Sequence, residues 1–211
     1  MLTGLDDIAE RIRQQFDTLD HAREQAYEGS RQVIRAASVT IKHVHRGEIA
    51  EARKQLEETR QLAQQMLAAV SSTPALRYGG FVGDAEKEYV EAAIVLACIA
   101  GDPLPSPEDL GVYPATWLNG LAEVVGEFRR YVLDQIRTDD NQRAEEFLEA
   151  MESVYQTIMT FDYPNAISLG LRSRSDAARG LVERTRGDLT NALRAGRLEK
   201  RMAELEEKLD K

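Results

Sequence analysis

The six prolines of this chain stand at positions 74, 103, 105, 107, 114 and 164, so almost everything before 74 and after 114 lacks the residue that most reliably breaks a helix. Those stretches are rich in Ala, Leu, Glu, Arg and Gln, and their apolar residues recur at steps of three and four. The expectation is an all-α fold, one domain over residues 1–211 built as a bundle of about seven helices. The spacing predicts helices near 4–18, 20–46, 48–71, 75–100, 115–137, 140–160 and 164–209. GDPLPSPEDLGVYP (101–114) is the one substantial loop, and GGFVG (79–83) reads as a break before an acidic helix. No internal repeat or low-complexity segment is visible.

A chain of 211 residues with 43% hydrophobic and 30% charged content can bury a sizeable core. Its net charge of -9 disfavours wholesale nucleic-acid binding through the outer surface, so the placement of the basic residues decides that question. Cys98, the single cysteine, excludes an intrachain disulfide and reads as a small buried hydrophobe in a reducing compartment. The opening MLTGLDDIAERIRQQ lacks the layout of a signal peptide, and no stretch reaches the ~18 consecutive apolar residues of a membrane span. A cytoplasmic protein without a membrane partner is expected.

In the second predicted helix Ile34, Ala37, Ile41 and Val44 form an apolar face. Arg31, Arg35, Ser38, Lys42, His45 and Arg46 fall within roughly 100° of arc on another face, and no acid interrupts 31–46. A solvated charged face is one account of this stripe. Phosphate binding is the other, favoured by the missing acids in a chain that otherwise has more acids than bases. The last helix carries Leu181, Val182, Leu189, Leu193, Leu198, Met202, Leu205 and Leu209 at a spacing near ~3.5, a stripe that needs a partner helix. Arg172, Arg174, Arg179, Arg184 and Arg186 decorate its first half, either paired with Asp176, Glu183 and Asp188 or turned toward nucleic acid.

Glu88 and Glu91 lie at the edge of and inside the apolar run YVEAAIVLACIA (89–100), where a carboxylate is costly unless a cation neutralises it. Asp84, Glu88 and Glu91 share one helix face, and Glu123 and Glu127 form a second pair beside Leu121, Val124, Val125, Phe128 and Val132. Acidic pairs are common on helix surfaces. If the two sets face each other, they supply the hard oxygen ligands that Mg2+ or Mn2+ prefers. His21, His43 and His45 are the only histidines and form no HExxH or ExxH pattern, which disfavours zinc and di-iron. The chain also lacks a P-loop, GxGxxG, GxSxG and CxxC.

SRQVIRAASVTIKHVHR (30–46), EYVEA (88–92) and GLAEVVGEFRR (120–130) resemble the translin family, in particular its translin-associated factor X (TRAX) branch. The similarity in helix layout extends through most of the chain, including LRSRSDAARGLVERTRGDL (171–189). It implies a translin-like α-α superhelix in which Glu88 and Glu91 match paired catalytic glutamates and Glu127 matches the glutamate of a GE motif. Glu123 falls where the family motif also has an acid. In that family TRAX-type subunits carry an endoribonuclease site, whereas translin-type subunits lack the corresponding glutamates and supply RNA binding and assembly. The segment RYGGFVGDAEKE departs from the eukaryotic pattern and the chain has no long N-terminal extension, which points to a prokaryotic, archaeal homo-oligomer.

The resemblance further implies a closed, hollow assembly, typically an octamer, around single-stranded RNA or DNA. An acidic exterior and a basic interior would then coexist. On this reading Glu88, Glu91 and Glu127 bind Mg2+ or Mn2+ for phosphodiester hydrolysis, with Glu123 and Asp84 as further ligands or supporting groups. Arg31, Arg35, Lys42, His45, Arg46 and Arg130 would hold the strand through its backbone. Two alternatives are a non-catalytic RNA or ssDNA binder, its glutamates paired to Arg77 or Arg130, and a self-associating helical protein without a ligand.

Overall fold

The structure is a computed structural model and describes residues 3–209. Nine helices and no strand occur among the described residues: α1 (Leu5–His45), α2 (Ile49–Val70), α3 (Pro74–Arg77), α4 (Gly80–Ala100), α5 (Pro107–Leu110), α6 (Pro114–Arg137), α7 (Asn141–Met159), α8 (Asn165–Ser168) and α9 (Leu171–Leu209). The all-α expectation holds. None of the described helices is long and apolar enough to cross a membrane.

The element count differs from about seven for local reasons. Where the pattern predicts a break near residue 19, the chain runs on as one helix of 41 residues. No Gly or Pro interrupts it before Gly29, and Thr18, suited to cap a new helix there, donates its Oγ1 to the Gln14 carbonyl at 2.9 Å instead. α3 separates from α4 at Tyr78 and Gly79, so Gly80 and Gly83 lie inside α4 and only the first glycine of GGFVG makes the break. Inside the Pro-rich loop, Ser106 Oγ accepts from the Asp109 N–H and Asp109 accepts from the Ser106 N–H, a capping box that starts the single turn of α5. Leu169 and Gly170 take positive φ and divide the last predicted helix into α8 and α9.

Contacts sort the chain into two compact units whose boundary falls inside α6, one ending at Gly120 and the other beginning at Leu121. In the first unit α1, α2 and α4 pack on one another. Val33, Ala37 and Val44 of α1 and Ala52, Ala63, Met66 and Val70 of α2 are buried, and α4 is buried on every face from Tyr89 to Ala97. Ile34 is only half-buried; Val33, Ala36 and Thr40 widen the packed face of α1 beyond the predicted stripe.

Where α6 begins it crosses α4 closely enough to require glycine. A Cβ on Gly120 would stand 2.6 Å from Val90 Cγ1 and 3.0 Å from the Lys87 carbonyl oxygen. Gly120→Ala should therefore lose about 1–3 kcal/mol to overpacking, despite the better helix propensity of alanine. A denaturant titration with an unchanged midpoint would contradict this.

In the second unit α7 packs along α9. Phe128 meets Phe147 edge-on at 5.1 Å between centroids, and the Arg143 guanidinium lies 4.8 Å over the same ring. Arg129 donates to Thr185 Oγ1 at 3.0 Å and pairs with Asp188 at 2.8 Å, tying this part of α6 to α9. Both terminal helices outrun their packed portions. Leu5, Ile8, Ile12 and Phe16 of α1 and Leu198, Met202, Leu205 and Leu209 of α9 are exposed, whereas Val182 and Leu189 of the same predicted stripe are buried.

Candidate metal and nucleic-acid residues

An apolar helix buried all round leaves few places for a charge, yet α4 carries three glutamates in two turns. Glu91 is 9% exposed and Glu86 only 1%, while Glu88 is half-buried. Sequence reasoning passed over Glu86. It stands on the same face as Val82, Tyr89 and Val90, and that spacing was the available signal. Arg77 neutralises it through two hydrogen bonds, Nη1 to Oε2 at 3.0 Å and Nη2 to Oε1 at 2.9 Å. Burial pushes the Glu86 carboxyl above its ordinary pKa, and the Arg77 guanidinium works against that rise. The fork of Arg77 thus serves Glu86 and not the predicted pair Glu88 and Glu91.

Asp84 is 62% exposed and pairs with Lys87 at 3.3 Å, so this predicted supporting carboxylate points to solvent. On α6, Glu123 and Glu127 are half-buried one turn apart. Glu123 accepts from Arg174 Nε at 3.0 Å, and Glu127 has Arg130 at 3.9 Å. On α4, Tyr89 is 1% exposed and its phenol is pushed up to about 12, chiefly by burial, so it stays neutral across the physiological range.

The predicted basic stripe divides by exposure. Arg31, Arg35, Lys42 and Arg46 are exposed, and none of the four forms an ion pair among the described residues. Ser38 and His45 are half-buried and set back from them. His43, outside the stripe, is held by Glu48 at 2.6 Å. Of the five arginines in the first half of α9, three are paired: Arg174 to Glu123 at 3.0 Å, Arg179 to Glu183 at 3.1 Å and Arg186 to Glu152 at 2.7 Å. Only Arg172 and Arg184 of that series have no acid partner among the described residues.

No protein-family model matches the chain. In sequence it is similar to the uncharacterized protein MJ0175 of Methanocaldococcus jannaschii, 27% identical over 171 residues that cover 81% of this chain and 76% of that one. Among solved structures it is similar to AfC3PO, alone (TM-score 0.81) and in a complex with duplex RNA (TM-score 0.82), at 34% identity over 89% of this chain and 97% of that chain. The chain belongs to the translin/C3PO family. Apo-NeC3PO shares the fold at 21% identity, with a TM-score of 0.79 over 91% of this chain and 98% of that one. The motifs at 30–46, 88–92 and 120–130, which carried the resemblance in sequence, therefore lie in a translin/C3PO scaffold: the first runs along the basic side of α1, the second brackets Val90 of α4 and the third spans the tight crossing at Gly120.

Proposed function

We propose that this translin/C3PO chain binds RNA and cleaves it with the help of a divalent cation, as a TRAX-like, archaeal, cytoplasmic member that assembles into a closed homo-octamer. The observation that carries the catalytic reading is a carboxylate, Glu91, buried in an apolar helix beside the crossing at Gly120. Lys87 and Val90, the two residues that Gly120 approaches, bracket Glu88 and adjoin Glu91. Gly120, Glu123 and Glu127 follow each other at three and then four residues, one face of α6.

A donor set made only of carboxylate oxygens suits Mg2+ or Mn2+ and suits softer metals poorly. When bound, such an ion supplies Lewis acidity and an activated water for phosphodiester hydrolysis. Glu88, Glu91 and Glu127 would hold it, with Glu123 completing or orienting the set. Arg31, Arg35, Lys42 and Arg46, with His45 and Arg130, grip the phosphates. The AfC3PO complex contains duplex RNA, and a grip confined to the backbone accepts single-stranded RNA or ssDNA as well.

One observation favours a purely binding protein: Glu123 already has a guanidinium partner in Arg174. Incubating end-labelled RNA, single-stranded and duplex, with purified protein in Mg2+, Mn2+ or EDTA separates the two readings. Cleavage that appears only with an ion supports the nuclease; cleavage in EDTA sinks the metal role, and binding without cleavage in any buffer leaves the binder.

The stripe makes its own prediction. Changing Arg31, Arg35, Lys42 and Arg46 together to Ala should weaken RNA binding at low salt by about 100-fold or more and flatten the plot of log K against log salt by roughly 3, at about 0.7–0.9 per lost phosphate contact. An unchanged slope would place the strand elsewhere.

A further inference from the structure

Between α7 and α9 the second unit opens a cavity of about 740 Å3, a size that suits small ligands, whose pockets run from about 300 to 1,000 Å3. Its wall combines the rings of Phe161 and Tyr163 with Asp162, Asp176 and Arg172. Phe161 is 37% and Tyr163 60% exposed, unusual for large rings. Among the described residues Asp162, Asp176 and Arg172 form no ion pair, so charges of both signs border the same space without neutralising each other.

We propose that this cavity receives one unpaired nucleobase of a bound RNA, an inference that rests on the RNA-binding reading above. Aromatic rings accept the face of any base by stacking. Asp162 and Asp176 accept hydrogen bonds from base N–H groups, as carboxylates do from the exocyclic amine of cytosine. Uracil has a carbonyl oxygen in place of that amine and keeps only its N3–H as a donor, so the pair of carboxylates favours cytosine. Arg172 contacts an adjoining phosphate at the rim. A phosphate deep in the cavity would meet two carboxylates, which is why the base and not the phosphate enters.

The test uses the full chain in EDTA, with fluorescence anisotropy on labelled oligocytidylate and oligouridylate of equal length and hence equal charge. The wild type should bind oligocytidylate several-fold more tightly. Tyr163→Ala should weaken both oligomers by about tenfold, and Asp176→Asn should erase the preference for cytidine while leaving oligouridylate binding intact. Both positions are exposed, so the variants should fold, as circular dichroism would verify. If both variants bind like the wild type while Arg35→Ala with Lys42→Ala weakens binding, the pocket assignment fails and the RNA-binding reading stands. If the wild type binds neither oligomer, both fall. If Tyr163→Ala lowers the solution mass with RNA affinity unchanged, the cavity belongs to a contact between copies and the nucleobase assignment is overturned.

Discussion

Replacing Glu91 by Gln is expected to lower divalent-dependent RNA cleavage by about a thousandfold or more while leaving RNA affinity in EDTA unchanged. The substitution keeps shape and volume between Val90 and Ala92, both 0% exposed, so the packing of α4 should survive. It removes a charge that a cation needs and leaves the strand-holding cations of α1 and Arg130 of α6 in place, so binding has no reason to change. A second readout needs no substrate: Mn2+ should raise the melting temperature of the wild type, because a ligand of the folded state stabilises it, and should not raise that of the variant. Asp84→Asn is the matched control, since Asp84 is turned to Lys87 and solvent. Full cleavage by clean Glu91→Gln protein would remove Glu91 from the proposed site, and equal loss in Asp84→Asn would show that general acidity of the helix is at work.

The largest stability effect is expected at Arg77. Arg77→Ala leaves Glu86, 1% exposed, without its two hydrogen bonds, and stranding one member of a buried pair costs about 3–5 kcal/mol. The pH dependence has a definite sign. Burial raises the Glu86 pKa in the folded state, so the folded protein holds that proton more tightly than the unfolded chain. Stability from this group is complete below its unfolded value, near 4.5, and is lost as pH rises through the raised folded value. Without Arg77 the rise is unopposed. The deficit of the variant relative to wild type should therefore be greatest at neutral pH and shrink on acidification toward 4.5 and below. Changing both residues to Met should recover most of the loss, because an apolar pair of similar volume leaves no charge uncompensated. Denaturant titrations at several pH values measure all of this. A single variant with wild-type stability at pH 7 would mean that water reaches Glu86.

Helices whose ends are marked by their own residues were legible in the chain. Asp140 caps α7 by accepting from the Arg143 N–H, and Pro114 opens α6; both boundaries fall within a residue of expectation. The long α1 was harder, because Asp17, Thr18 and Asp20 look like capping residues, yet the Thr18 hydroxyl folds back on its own helix. At the candidate sites the stripe on α1 was readable, since charge and periodicity lie in one segment. Of the α9 arginines, Arg179 meets Glu183 four residues on, one of the acids its spacing offered, whereas Arg174 and Arg186 were not readable because their partners lie far along the sequence: Arg174 bonds Glu123 across 51 positions and Arg186 bonds Glu152 across 34. Glu86 was hidden for a related reason. Its partner Arg77 lies nine positions upstream on a different helix, and the turn at Tyr78 and Gly79 lets the two meet.

The uncovered leucines, isoleucines and phenylalanine at the start of α1, and the leucines and methionine at the end of α9, bear on how the protein behaves when diluted. Backbone amides there should exchange with deuterium well before those of α4. If copies of the chain cover these side chains, mass action makes thermal stability rise with protein concentration. A single melting temperature would then describe a sample and not the molecule, and concentrated stocks would outlast working dilutions.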